Sequence, residues 1–192
     1  MLTDAAQFLL RTLFDLAACA FFLRFWMQWA RVPFHNPFAQ FVVKVTDFAV
    51  KPLRRVLPGL FGLDWASLAP FFIAELLMVL SIHWVMGYPF SVAGGDVIPG
   101  FLLLALASSL RLALYLLIGF ILLQAVLSWV NPFSPLAPVF YALSRPVLGP
   151  FQKIVPAMGG IDLSPLVALI VVQLLLIAPV AGLERYARGL VW

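Results

Sequence analysis

The chain has 192 residues, of which 64% are hydrophobic and 10% charged, with a net charge of +4. An ordinary soluble domain carries about a quarter charged residues, so this composition excludes a water-soluble surface and makes the bilayer the main solvent. A single cysteine, Cys19, excludes an internal disulfide framework.

The first apolar run covers about 5–30, long enough for the ~20 residues that a helix needs to cross a bilayer and too long for a barrel strand. Leu16-Ala17-Ala18-Cys19 looks like a leader cleavage box. However, Asp4 precedes the run, Arg11 and Asp15 lie inside it, and Phe21-Phe22-Leu23 continue it past the cysteine, which is not the pattern of a leader. Cys19 is therefore expected as a small packing residue in a retained span. From Phe38 to Arg55, the polar residues Gln40, Lys44, Asp47, Lys51 and Arg54 recur every three or four positions. Phe38, Phe41, Val42, Val45, Phe48 and Ala49 fall between them, which gives one basic and one apolar face of an amphipathic helix lying in the membrane interface.

Pro52 is expected to interrupt that helix, and Pro58-Gly59 to turn the chain. Asp64, just before Ser67, is expected to cap the second run at about 67–86. A connection without Lys or Arg, 87–100, leads to the third run at about 101–130. The segment after it holds Pro138, Pro146 and Pro150 with few charges and is expected to be less helical than its counterpart. Asp162 then precedes Ser164-Pro165 as a second cap, and the fourth run covers about 164–183. Trp26, Trp29, Trp84, Tyr88 and Trp129 stand towards run ends, where amphipathic rings favour the interface.

A constant shift of 98 lays one half of the chain on the other: Asn36-Pro37 on Ser134-Pro135, Pro52 on Pro150, Pro58 on Pro156, Gly62 on Gly160 and Asp64 on Asp162. Thr46/Ser144 and Arg55/Lys153 are conservative matches in the same register. The reading is an all-α membrane protein of two repeats, 1–98 and 99–192. Its four transmembrane helices form two helical hairpins arranged as parallel repeats, each hairpin with a cytoplasmic amphipathic or proline-containing segment. Arg31, Lys44, Lys51, Arg54 and Arg55 in the first hairpin loop, with Arg145 and Lys153 in the second, place both loops in the cytoplasm and both termini outside. Arg185 and Arg188 in the tail argue the other way but are outnumbered.

The strings Leu23-Arg24-Phe25-Trp26-Met27-Gln28, Asn36-Pro37-Phe38, Val43-Lys44-Val45-Thr46, Lys51-Pro52-Leu53-Arg54-Arg55-Val56-Leu57-Pro58 and Gly62-Leu63-Asp64 resemble the YggT family, also called YlmG. Ser128-Trp129, Ser134-Pro135, Ser144-Arg145-Pro146, Pro150-Phe151, Ile154-Val155-Pro156 and Gly160-Ile161-Asp162 resemble the same unit again. The resemblance implies a multi-pass protein of the bacterial inner membrane with chloroplast relatives. It also implies roles spread over cell division and nucleoid distribution, osmotic and potassium stress, and haem attachment in plastids. It brings no catalytic residues.

Two sets of candidate site residues follow. Lys44, Lys51, Arg54, Arg55, Arg145 and Lys153 are expected to contact anionic lipid and partner proteins, at ~1 kcal/mol per charge near anionic headgroups. Within the spans, Arg24 and Glu75 both fall roughly 9–12 Å below the loop-side surface, which makes an ion pair feasible. The corresponding positions in the second repeat are Gln124 and Gln173, so the four form a candidate intramembrane polar layer. Arg11, Asp15, His83 and Arg111 could make a second cluster near the opposite surface, read as architectural glue. His35 and His83 fall on opposite sides, and no CxxC, HExxH, Walker or dinucleotide-binding glycine motif occurs, so no catalytic, metal or cofactor site is expected. The leading expectation is a non-enzymatic membrane organiser or assembly factor whose partners are anionic lipid and other membrane proteins, with no nucleic acid. The alternative is a small permeation or osmotic-response protein built on the polar layer, which would need a homo-oligomer.

Overall fold

A computed structural model describes residues 1–57, 59, 62–91, 94–131, 133–155 and 162–191. Its regular structure is helical. The elements are α1 (Leu2–Trp29), α2 (Pro37–Val56), α3 (Trp65–Val85), a short 3-10 turn (Gly95–Val97), α4 (Ile98–Val130), α5 (Ala137–Ile154) and a last continuous helix. That last helix consists of α6 (Ser164–Leu175), a widened π turn (Leu176–Val180) and α7 (Ala181–Val191). Four of these helices are long and apolar enough to cross a membrane: α1, α3, α4 and Ser164–Val191.

Each repeat thus has two long apolar helices and one helix between them. In the first, Asn36 caps α2: its side chain accepts the N–H of Phe38 at 2.9 Å, and Pro37 fills the first helical position. Ser134, at the matching position, accepts the N–H of Leu136 at 3.3 Å, a turn just ahead of α5, whose own N-cap Leu136 makes no side-chain cap bond. Two expectations are corrected here. Pro52 does not interrupt α2, which runs on to Val56, and α5 is helical through Pro146 and Pro150. A proline removes one N–H and crowds the carbonyl four residues back. Both helices nevertheless continue because side chains on either side, buried Val50 and partly buried Leu53 in α2 and buried Leu143 and Leu148 in α5, hold the chain against the spans. The expected turn at Pro58, and the repeat positions Pro156, Gly160 and Ile161, lie outside the described residues.

Water is not expelled when spans associate inside a bilayer, so close backbone approach takes over from the hydrophobic effect. Ala18 of α1 and Ala66 and Ala74 of α3 lie buried where these helices pack, and Phe22 sets its ring 5.3 Å from that of Phe71. Gly100 marks the tightest contact of α4 with α7: a Cβ there would sit 2.7 Å from Val191 Cγ2 and 3.0 Å from Leu190 Cβ. The Tyr88 hydroxyl donates to the Val191 carbonyl at 3.0 Å and fixes the same corner. The repeats are joined by α3 against α4 and by the Trp26 indole N–H, which donates to the Leu143 carbonyl at 2.8 Å in a buried position.

The last span also differs from expectation. The apolar run stops near 183, yet the helix continues to Val191 and carries Glu184, Arg185 and Arg188. Its widened turn holds Pro179, which has no N–H to offer, and the hydrogen-bond ladder loosens around it.

Candidate basic pocket at the loop face

α2 has three faces rather than two. Ala39, Val42, Thr46 and Val50 are buried against the spans. Phe41, Val45 and Phe48 form an open apolar stripe, with Phe48 77% exposed. Gln40, Lys44, Lys51 and Arg55 are exposed along the third face. The sequence period merged the first two faces into one apolar side.

Between the end of α1 and the basic edge of α2 lies a pocket of about 450 Å³, lined by Arg24, Gln28, Gln40, Lys44, Asp47 and Arg54 among others. Arg24, 4% exposed, closes its inner wall. Its Nη1 donates to the Val43 carbonyl at 3.1 Å, the Thr46 hydroxyl at 2.9 Å and Asp47 Oδ1 at 2.8 Å. Lys51 reaches the other oxygen of Asp47 at 2.7 Å. Hydrogen bonds from Lys51 and then Arg24 hold the Asp47 carboxyl below its ordinary value. Arg54 Nη2 donates to Gln28 Oε1 at 3.1 Å and to Asp64 Oδ2 at 2.5 Å, and Ser67 donates to the same oxygen at 2.7 Å. Burial pushes the Asp64 carboxyl up, but the bonds from Arg54 and Ser67 outweigh it and leave the group below its ordinary value.

Asp64 occupies the N-cap position of α3, yet its carboxylate serves side chains rather than the helix N–H groups. Asp162 is nearer the expected cap: it accepts the Ser164 N–H at 2.8 Å and Gln152 Nε2 at 3.1 Å. Both bonding patterns recur under the repeat. Arg24 reaches Thr46, and Gln124 reaches Ser144; Arg54 reaches Asp64, and Gln152 reaches Asp162. Where the first copy has guanidinium donors the second has neutral amides: Gln152 donates as Arg54 does, while Gln124 accepts from the Ser144 hydroxyl.

The candidate polar layer does not assemble. Arg24 turns to Asp47 on α2 instead of to Glu75, Gln124 turns to Ser144, and Gln173 is exposed on α6. Glu75 lies with Arg11, Asp15 and Arg111 around a different cavity. Of the basic set, Lys44 and Arg54 line the pocket, Lys51 anchors its Asp47, and Arg55 is exposed farther along α2. Arg145 and Lys153 are exposed on α5 and take no part in that lining. Asp47 and Glu184 were not singled out from sequence as anchors. A carboxylate inside a basic face was the available signal for Asp47; Glu184 meets Arg111 across 73 positions of sequence, which no local pattern signals. His35 stands in the α1–α2 connection and His83 at the far end of α3, where its ring packs edge-on against Phe101. No group of His, Cys, Asp and Glu among the described residues is arranged to hold a metal ion.

The CCB3/YggT family profile matches residues 3–85 and again 103–183, the two repeats in tandem. The YggT protein of Escherichia coli strain K12 is 36% identical over 173 residues, covering 90% of this chain and 87% of its own, and bears the description uncharacterised. A protein of Vibrio alginolyticus described as uncharacterised, from the region 3' of proC, is 40% identical over 171 residues, covering 88% of this chain and 90% of its own. An uncharacterised protein of Pseudomonas aeruginosa is 35% identical over 176 residues, covering 91% and 87%. No solved structure matches. With both halves matched by one profile and relatives aligned over nearly their whole length, the chain belongs to the CCB3/YggT family.

Proposed function

We propose that the protein is a non-enzymatic membrane organiser that holds an anionic phospholipid headgroup in the α1–α2 pocket and thereby fixes α2 as a docking helix at the membrane surface. The observation that carries this reading is the charge of a built pocket: of the cations lining it Arg24 is paired with Asp47 and Arg54 with Asp64, and Lys44 leaves the set net positive. Its amides, Gln28 and Gln40, can donate to phosphate oxygens. Beside it the stripe Phe41, Val45 and Phe48 stands open, the arrangement of an interfacial helix with its apolar side in acyl chains. On this reading the loop face is cytoplasmic, following the lysine and arginine count, and the membrane is the bacterial inner membrane.

The test is lipid retention. Purified protein in nanodiscs of mixed phosphatidylglycerol and phosphatidylcholine is delipidated stepwise and followed by native mass spectrometry. Lys44→Gln leaves the Arg54–Asp64 tie intact and lowers phosphatidylglycerol retention about fivefold, the equivalent of ~1 kcal/mol for one headgroup charge. Equal retention by Lys44→Gln and the wild type, or no preference for phosphatidylglycerol over phosphatidylcholine, overturns the reading. Photo-crosslinking from position 54 in cells then names the protein partners of α2.

A further inference from the structure

At the other end of the bundle, the face that bears both chain termini, α1, α3, α4 and α7 enclose a second polar space that the proposed function does not use. Its outer part, about 340 Å³, is lined by Gln7, Arg11, His83, Ser108, Glu184 and Arg188 among others. Its inner part, about 330 Å³, shares Arg11, Ser108 and Glu184 and continues to Asp15, Glu75 and Arg111. Glu75 stands ten residues from the terminus-face end of α3, so the floor of this space is ~15 Å deep, at mid-bilayer.

The inner cavity has more carboxylates than cations: Asp15, Glu75 and Glu184 line it against Arg11 and Arg111. Glu184 is held by Arg111 and Arg188, which leaves Asp15 and Glu75 with Arg11. Glu75 is 1% exposed, and its Oε1 has no hydrogen-bond partner among the described residues. A carboxylate oxygen can only accept, and a buried one left unmatched is costly, so the floor offers an open acceptor to an N–H or O–H donor. A bare metal ion is a poor match. Hard cations take about six oxygen ligands, and no metal-holding group of His, Cys, Asp and Glu occurs among the described residues. A primary ammonium needs only a few acceptors, and the cavity is of the size that takes a small organic molecule.

We infer that this cavity binds a primary-ammonium group entering from the terminus face, its N–H bonds directed to Glu75 and Asp15. Two sources share that chemistry, a free amine and the headgroup of an aminophospholipid. The probe is radiolabelled ethanolamine, measured by equilibrium dialysis against the full chain in nanodiscs of phosphatidylglycerol and phosphatidylcholine. Saturable binding at one site is expected, weakened at least tenfold in Glu75→Gln and reduced in Asp15→Asn. It is displaced by methylammonium but not by tetramethylammonium, which has no N–H. Replacing phosphatidylcholine by phosphatidylethanolamine separates the sources: loss of probe binding assigns the site to the lipid headgroup, and unchanged binding assigns it to a free amine. No saturable binding in the phosphatidylcholine discs overturns the inference, as does equal displacement by tetramethylammonium or wild-type affinity in a folded Glu75→Gln protein. Because the Lys44 variant leaves this end untouched, its lipid retention and ethanolamine binding succeed or fail separately.

Discussion

Replacing Arg24 by leucine should undock α2 from the spans, and replacing it by glutamine should do so only in part. Arg24 Nη1 carries two hydrogens and faces three acceptors, Val43 O, Thr46 Oγ1 and Asp47 Oδ1, so two full bonds are available at a time. Bonds from a charged donor contribute ~1.5–3 kcal/mol each, or roughly 3–6 kcal/mol for two. Leucine removes them, but it also removes the cost of burying a guanidinium, and Lys51 still neutralises Asp47. Taking about half leaves a loss of ~2–3 kcal/mol, roughly 30–150-fold in the undocked population. Glutamine can replace one bond by accepting from the Thr46 hydroxyl, as Gln124 accepts from Ser144 in the second repeat, and should cost ~1 kcal/mol. The assay is thiol labelling of Val50→Cys in a Cys19→Ala background, since Val50 is fully buried under docked α2. Labelling of Arg24→Leu at the wild-type rate would refute the account, and so would a glutamine variant as open as the leucine one.

Three further outcomes follow from the geometry. Asp64 is held below its ordinary carboxyl value, so its tie to Arg54 contributes fully above about pH 4 and is lost as pH falls through the lowered folded value; thermal unfolding from pH 7 to 3 should steepen there, and Asp64→Asn should flatten the curve except for what Asp47 and Asp162 supply. Gly100→Ala should cost ~1–3 kcal/mol by pressing on Val191 and Leu190, with partial recovery in Gly100→Ala/Val191→Ala, measured by unfolding in sodium dodecyl sulfate. Trp26→Phe should cost ~1–2 kcal/mol by leaving the Leu143 carbonyl without its donor; protease nicking between the repeats, compared with wild type, reads whether they have loosened.

The spans and the repeat were legible because they rest on composition and on prolines in register, which neighbours in space do not alter. What failed was level and azimuth together. Counting from the run ends put Arg24 and Glu75 at one depth, but α3 begins at Trp65, so Glu75 lies ten residues in, ~15 Å, and Arg24 only five residues, ~8 Å, from the loop-side end of α1. Arg24 points to α2, which folds back beside it, while Glu75 points to the space near Arg11 and Asp15. The prolines of α2 and α5 misled for a related reason: local propensity opposes the helix at Pro52, Pro146 and Pro150, and packing of Val50, Leu143 and Leu148 overrides it. The helical stretch beyond 183 was not legible because what holds it, Glu184 against Arg111, joins residues far apart in sequence.

The widened turn in the last span settles where that glutamate points. The buried positions Ser164, Ala168, Val172, Leu176 and Val180 fall on every fourth residue, the last two within the widened turn, and after it come Ala187 and Val191. With 3.6 residues to a turn, a stripe of that spacing slides ~40° around a regular helix at each step, so a rigid α-helix would carry its far end out of phase with α4. The π turn absorbs the slippage by taking in extra chain, and it returns Ala187 to Gly100 and Glu184 to Arg111. The helix works like a vernier with a single correction at Pro179. Deleting one residue there would leave both halves helical but aim the carboxylate of Glu184 into the acyl chains.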